Sequence, residues 1–388
     1  MKAFEFTGSG TEYFKIWIVN TLLTIVTLGI YYPWAKVRNN RYIYGNTSIE
    51  EKAFDYHATG KQLFFGYLIA LFFLFLYNVL EYVLPIGNIV LIIFLLAIVP
   101  WLVWRSMKFN LRVTSFNNVR FSFVGGVAES YVIFLLVPLI SFLALGITIY
   151  LLTLFEGSVI SIVLGILLTN TIYVVGFAYF SVIKNRYIIY STTYGDSEFD
   201  INICTTNFIK IILKTVGVSF LLFIITASII GTIVYFSYDL NYFMNLSETY
   251  KTDPKSAIMI IYTTLLPLLA IGYILMIALS TIAYAYYMTE TRAYIFKNTI
   301  LDNDIEFLSN MKFLPYSYIL VTNFLLILFT LGLAYPWAKV RVLKYAVENT
   351  SINFNNNFNG FINSKLKKES GFGEQVSDTL DVDIGIPL

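Results

Sequence analysis

The sequence predicts an all-α polytopic membrane protein: about six spanning helices in three hairpins, two repeated terminal re-entrant or interfacial helix pairs, and short cytoplasmic β-like linkers. Three observations lead there. Hydrophobic residues make up 57% of the 388 and charged residues 13%, where soluble domains carry about 25% charge. Apolar runs of about 20 residues recur along the chain, the length that crosses a hydrocarbon core about 30 Å thick. Finally, TLGIYYPWAKVR, residues 27 to 38, returns as TLGLAYPWAKVR, residues 330 to 341.

The chain opens on FEFTGSGTEYF (4 to 14), an aromatic alternation followed by small residues. Residues 14 to 28 form an apolar run about 22 Å long at the helical rise, marginal for a crossing. Gly29 interrupts it, and Pro33 suits the first turn of a new helix. That helix mixes apolar and basic residues with Trp34 at its head, the composition of an interfacial helix. No basic segment precedes the first run and no small-residue cleavage site follows it, which argues against a removable signal peptide.

Spanning helices are expected over about 62 to 84, 86 to 104, 130 to 155, 158 to 180, 208 to 236 and 257 to 284, because lipid-facing backbone must satisfy its own polar groups. They pair as hairpins 62–104, 130–180 and 208–284. The linkers over 35 to 61, 105 to 129, 181 to 207 and 289 to 312 hold fourteen Lys and Arg, against Lys251 and Lys255 in the loops within hairpins. By the positive-inside bias the linkers are cytoplasmic. Each carries a polar junction (GNTSI, RVTSF, YSTTY, KNTIL), and aromatic alternation recurs at Phe54/Tyr56 and Phe121/Phe123. Such alternation places aromatics on one face of a short strand; interfacial aromatics in ordinary loops explain it equally well.

Residues 20 to 49 and 323 to 352 are identical at 18 of 30 positions, which makes 4–49 and 307–352 an internal duplication. If both terminal runs crossed the bilayer, six spans between them would put the two PWAKVR blocks in opposite compartments. Half-hairpins that enter and return avoid this and leave both termini cytoplasmic. The expected organisation is one membrane domain over 1–352 and a polar, disordered cytoplasmic tail over 353–388.

FxFxGxGxEYFxIWxxN, TLGIYYPWAKVR and RYxYxNTxI at the front, with TLGLAYPWAKVR at the back, resemble the YjgN-like family of bacterial inner-membrane proteins over roughly residues 1 to 360. The resemblance implies a multipass inner-membrane protein without assigned activity, and so transfers no catalytic or substrate residues. The acidic carboxyl tail and the copy FDINICTTNF, which lacks the glycines, depart from the pattern.

Candidate sites follow from where polar groups meet lipid. Trp34, Lys36, Arg38, Trp337, Lys339 and Arg341 are candidates for lipid or interface binding, with anchoring as the plainer explanation. Gly29, Pro33, Gly332 and Pro336 are the helix breaks. Asn20, Asn323, Asn170 and Glu81 form a candidate intramembrane polar site, since ionisable and amide groups in spans mark function or packing. Lys210 and Lys214 read as snorkelling cations. With one His and one Cys, no metal site, cofactor or catalytic triad is expected, nor a nucleic-acid partner. Two classes remain: a transporter or channel for a small solute, or a non-catalytic structural protein contacting anionic lipid. Oligomeric state is not legible.

Overall fold

Strand formation starts in the linkers, where turns of two or three residues double the chain back. Glu50 and Glu51 take φ of 50° and 64°, and Asn117 and Asn118 take 47° and 65°, the paired left-handed conformations of a tight hairpin. Gly195 (φ 58°) and Asp302 (φ 54°) mark the other two turns. The computed structural model describes residues 1–83, 85–153, 159–237, 240–260, 262–263, 266–302, 304–354, 360–361 and 365.

Five strand–helices–strand units follow one another. The first is β1 (Lys2–Phe6), α1 (Gly10–Val26), α2 (Tyr32–Gly45) and β2 (Thr47–Ile49). The second is β3 (Lys52–Tyr56), α3 (Gly60–Val83), α4 (Pro85–Arg112) and β4 (Thr114–Phe116). The third runs β5 (Val119–Phe123), α5 (Val127–Tyr131), a π turn (Val132–Leu136), α6 (Val137–Thr153), α7 (Val159–Tyr190) and β6 (Thr192–Tyr194). The fourth runs β7 (Ser197–Ile201), α8 (Thr205–Ser237), α9 (Leu240–Thr252), α10 (Pro254–Ile260), α11 (Leu266–Lys297) and β8 (Thr299–Leu301). The fifth is β9 (Ile305–Ser309), α12 (Phe313–Phe329), α13 (Tyr335–Glu348) and β10 (Thr350–Phe354).

The ten strands close into one antiparallel barrel, in which β1 pairs with both β2 and β10. This overturns the all-α expectation: the β-like linkers are the barrel wall. The reason it was hidden is length. Strands of three to five residues carry at most two alternations, and the closing pair joins Ala3 to Ser351, a partnership no local pattern records. The link between the expected spans 208 to 236 and 257 to 284 is also largely helical where described, as α9 and the start of α10.

Register repeats around the barrel. Phe4 faces Ile49, Phe54 faces Phe116, Phe121 faces Tyr194, Phe199 faces Leu301 and Phe307 faces Ile352. These residues point inward into a single apolar cluster, and with a side-chain period of two Glu5, Asp55, Ser122 and Asp200 point outward and are exposed. Each even strand begins with a threonine whose Oγ1 donates to the carbonyl four residues back in the incoming helix: Thr47 to Ile43, Thr114 to Asn110, Thr192 to Ile188, Thr299 to Ile295 and Thr350 to Ala346. The hydroxyl satisfies one of the free carbonyls at a helix end and so fixes where helix becomes strand. A second repeated bond ties each outgoing turn to it: the N–H groups of Thr7, His57, Val124, Asn202 and Asn310 donate to the carbonyls of Asn46, Val113, Ser191, Asn298 and Asn349.

Two compact units result. Met1–Ile209, Arg292–Met311 and Tyr335–Leu388 make the first, which holds the whole barrel; Lys210–Thr291 and Lys312–Ala334 make the second, which is helical. Among the described residues six helices are long and apolar enough to cross a membrane: Gly60–Val83, Ile86–Arg112, Val127–Leu152, Ile162–Tyr190, Thr205–Ile233 and Ala270–Lys297. Of the tail expected from 353 onward, Asn353 and Phe354 complete β10 and Gly360, Phe361 and Lys365 are described; the rest lies outside the described residues.

The duplicated elbow has a local physical cause. Leu28 and Gly29 take φ of 50° and 92°, Leu331 and Gly332 51° and 91°. The Gly29 N–H reaches back to the Thr24 carbonyl at 2.7 Å and that of Gly332 to Ile327 at 2.8 Å, the capping geometry that ends a helix with a left-handed residue. Thr27 Oγ1 then accepts from the Tyr31 N–H, and Thr330 Oγ1 from the Ala334 N–H, each at 3.0 Å. One side chain thereby joins the end of the outgoing helix to the start of the returning one, where Pro33 and Pro336 have no N–H to satisfy.

Aromatics occupy the position thirteen residues before each threonine: Trp34, Trp101, Tyr179, Tyr286 and Trp337. In three cases the structure shows them seated on the first helix of the next unit. A Cβ on Gly60 would lie 2.2 Å from Trp34 Cδ1, and one on Gly10 would lie 2.3 Å from Trp337 Cδ1; Tyr286 meets Phe313 edge-on at 5.5 Å. Only glycine permits the two tryptophan contacts. Gly60→Val should therefore destabilise by about 1–3 kcal/mol through overpacking, read as a lowered unfolding midpoint in detergent, and Trp34→Ala in the same chain should recover part of the loss.

Candidate functional site: the barrel lumen

Ten strands enclose more room than eight, which side chains just fill. Here the surplus is divided by one ring of side chains. Phe4, Phe54, Phe121, Phe199 and Phe307 sit at equivalent registers and approach one another closely: Phe4 and Phe54 ring centroids are 6.2 Å apart, Phe54 and Phe121 6.5 Å, Phe199 and Phe307 5.8 Å. On the helix side of this ring lies a cavity of about 460 Å³. It is walled by Phe4, Phe54, Phe199 and Phe307, by the helix ends carrying Ile43, Tyr44, Ile189, Ile295, Phe296 and Val347, and by Thr47, Thr192, Thr299 and Thr350. On the hairpin-turn side lies a second cavity of about 110 Å³, walled by the same four phenylalanines and Phe121, by Ile49, Phe116, Tyr194, Leu301, Ile305 and Ile352, and by Phe361.

Arg292 is the charged residue in the wall of the larger cavity. Its Nη2 donates to Thr350 Oγ1 at 2.8 Å and its guanidinium lies 4.4 Å from the Phe296 ring centroid, a cation–π distance. Other linker cations serve the frame. Arg41 Nη2 donates to the Ala58 carbonyl at 2.9 Å, and Arg186 makes the equivalent bond to Ile203; both carbonyls belong to fully buried residues at the outgoing turn. The cluster is thus an apolar chamber with one cationic edge and a threonine rim, the pattern of a small-molecule site in size and lining.

The residues singled out from sequence have other places. Asn20 is buried in α1, its Nδ2 donating to Asn39 Oδ1 at 3.0 Å and to the Ala35 carbonyl at 3.4 Å in α2, which pins the elbow's two arms together. Asn323 is buried in α12. Asn170 is exposed and bonds within its own helix to the Ile166 carbonyl, and Glu81 is exposed near the end of α3. Asn20 thus bonds to α2, and Asn170 to its own helix α7. Trp34 and Trp337 cover glycines, as above, and Trp337 also stacks on Phe14 at 4.6 Å. Lys339 Nζ donates to Tyr13 Oη at 2.9 Å; Tyr13 is almost wholly buried, and burial raises its pKa. Lys36, Arg38 and Arg341 are exposed. Pro33 and Pro336 are fully buried. His57 Nε2 meets Ser115 Oγ at 2.7 Å, and Cys204 is exposed. Of the ring, Phe4, Phe54 and Phe121 belong to the aromatic alternation legible in the sequence; Phe199 lies in the departing copy FDINICTTNF, Phe307 does not stand out, and nothing local records that the copies converge on one axis.

The chain is 28% identical over 350 residues to "Inner membrane protein YjgN" of Salmonella typhimurium, covering 89% of this chain and 87% of that one. It is 26% identical over 392 residues to the protein of the same name in Escherichia coli K12, covering 97% and 94%. No solved structure matches. With six membrane-capable helices, the chain is a multipass inner-membrane protein. The family model described as "Bacterial protein of unknown function (DUF898)" matches residues 1–379, and the chain belongs to that family.

Proposed function

We propose that this is a non-catalytic passage for a small amphipathic solute, with the barrel axis as its path and the ring of Phe4, Phe54, Phe121, Phe199 and Phe307 as its constriction. The single observation that supports it is the pair of cavities meeting at that ring. A narrow apolar ring excludes water and so blocks ions by dewetting. An apolar wall with one guanidinium edge favours a solute carrying an acidic or hydrogen-bonding head on a hydrocarbon body, since a charge in such a chamber needs a partner while an apolar tail needs none. Threonine hydroxyls at the rim, already donating to helix carbonyls, retain lone pairs that can accept from a solute.

In proteoliposomes, Phe199→Ala and Phe307→Ala should raise the flux of a short-chain carboxylate by about tenfold, equivalent to about 1.4 kcal/mol of barrier. Flux indistinguishable from protein-free vesicles in the intact chain and in both variants would overturn the passage reading.

A second reading, contact with anionic lipid at the elbows, is favoured by the exposure of Lys36, Arg38 and Arg341. Both readings place the two PWAKVR blocks in one compartment, because each elbow departs from and returns to the same barrel, and the positive-inside bias makes that compartment the cytoplasm. Cysteines introduced after Arg38 and after Arg341 should react with an impermeant thiol reagent from the same side; reaction from opposite sides would defeat the scheme.

A further inference from the structure

Phe361 and Lys365 lie beyond the last strand, yet both are built into the barrel. Phe361 closes the wall of the smaller cavity beside Leu301 and Ile305, at the end away from the helices. Lys365 is buried, with its side chain 9% exposed, and makes ion pairs to Asp196 at 2.7 Å and Asp302 at 3.0 Å. Those carboxylates stand in the turns joining β6 to β7 and β8 to β9, and the turns are themselves tied by Ser197 Oγ donating to Asp302 Oδ2 at 3.1 Å. The ammonium also lies 5.2 Å from the Phe361 ring centroid, so one cation holds both the turns and the aromatic. Burial pulls the Lys365 pKa down, but the two aspartates more than offset it and hold it above its ordinary value. A charged lysine that deep is costly unless paired, and both partners are supplied from the barrel's own rim.

We propose that Phe361 and Lys365 form an intramolecular cap that closes the hairpin-turn end of the lumen, with the Lys365–Asp196–Asp302 ion pairs as its latch. Both carboxylates of the latch are half exposed, so water can take over the ion pairs as it opens, and an aromatic stopper leaves the wall hydrogen bonds untouched when it departs. The cap fits a lumen that must be shut at rest. Its consequence for flux rests on the passage reading, but its existence does not.

The test is carried out on the full chain in liposomes, in a Cys204→Ser background, by the rate at which an impermeant maleimide labels Leu301→Cys, a position on the wall of the smaller cavity. Asp55→Cys, outward-facing and exposed on β3, serves as the folding control. Labelling at 301 is expected to be slow with the native tail. It should become roughly tenfold faster in Phe361→Ala and in Lys365→Asp, the shift that about 1.4 kcal/mol of lost closure produces. Adding Asp196→Lys to Lys365→Asp should slow it again, while labelling at 55 stays constant throughout. Equal labelling at 301 with native and altered tails overturns the cap, as does acceleration at 55 in step with 301. Acceleration at 301 alone, without any change in solute flux, upholds the cap and counts against the passage.

Discussion

Everything in this structure depends on closing the barrel, and closure depends on β10 finding β1. An open ten-strand sheet made of three- and five-residue strands would leave two edges of unpaired N–H and C=O groups. Four of the five seams between units are covalent, made by tight hairpin turns. The fifth has no turn, and its two strands, β1 and β10, are the first and last of the barrel. Packing does there what connectivity does elsewhere. Trp337 covers Gly10 and stacks on Phe14, Lys339 donates to the buried Tyr13, and Val340 joins Phe6 and Tyr13 in one cluster.

Closure also decides how the membrane helices are arranged. Each helical excursion begins on one strand and ends on the strand beside it. Both basic blocks descend on the same ring, the geometry that the proposed single-compartment reading needs. Five threonines set the point of return, each using a hydroxyl to end its helix within one residue of the wall. Because helix ends and strand starts are locked together, the phenylalanines two residues further in along the register meet at one level. The ring that divides the lumen is thus a by-product of how helices are terminated.

The spans, the duplication, the family resemblance and the aromatic alternation were legible because each is a local or self-similar pattern. Phe4/Phe6, Phe54/Tyr56 and Phe121/Phe123 read from sequence as faces of short strands or, equally, as interfacial aromatics in ordinary loops. Their assembly into a barrel was not legible, for two physical reasons. The helical excursions between successive threonines differ widely in length, which hides the repeat from any fixed period. The pairing that turns strands into a wall is nonlocal at every seam except the hairpin turns. Asn20, one of the candidate intramembrane polar residues, is buried, and its Nδ2 is held by Asn39 and the Ala35 carbonyl of the returning helix.

This explains why the first and fifth units remain so alike while the middle three share little beyond their ends. A spanning hairpin needs length and hydrocarbon, which many sequences supply. A short elbow must turn within five residues, and that requires a left-handed glycine, a threonine able to accept from the returning helix, and a proline where no donor is wanted. It must also flank the noncovalent seam, since Trp337 bridges the fifth unit to the first and Trp34 bridges the first to the second. The repeated phrase at the two ends of the chain is therefore a statement about turning and closing, with its tryptophans on glycines and its lysines and arginines divided between the frame and the surface.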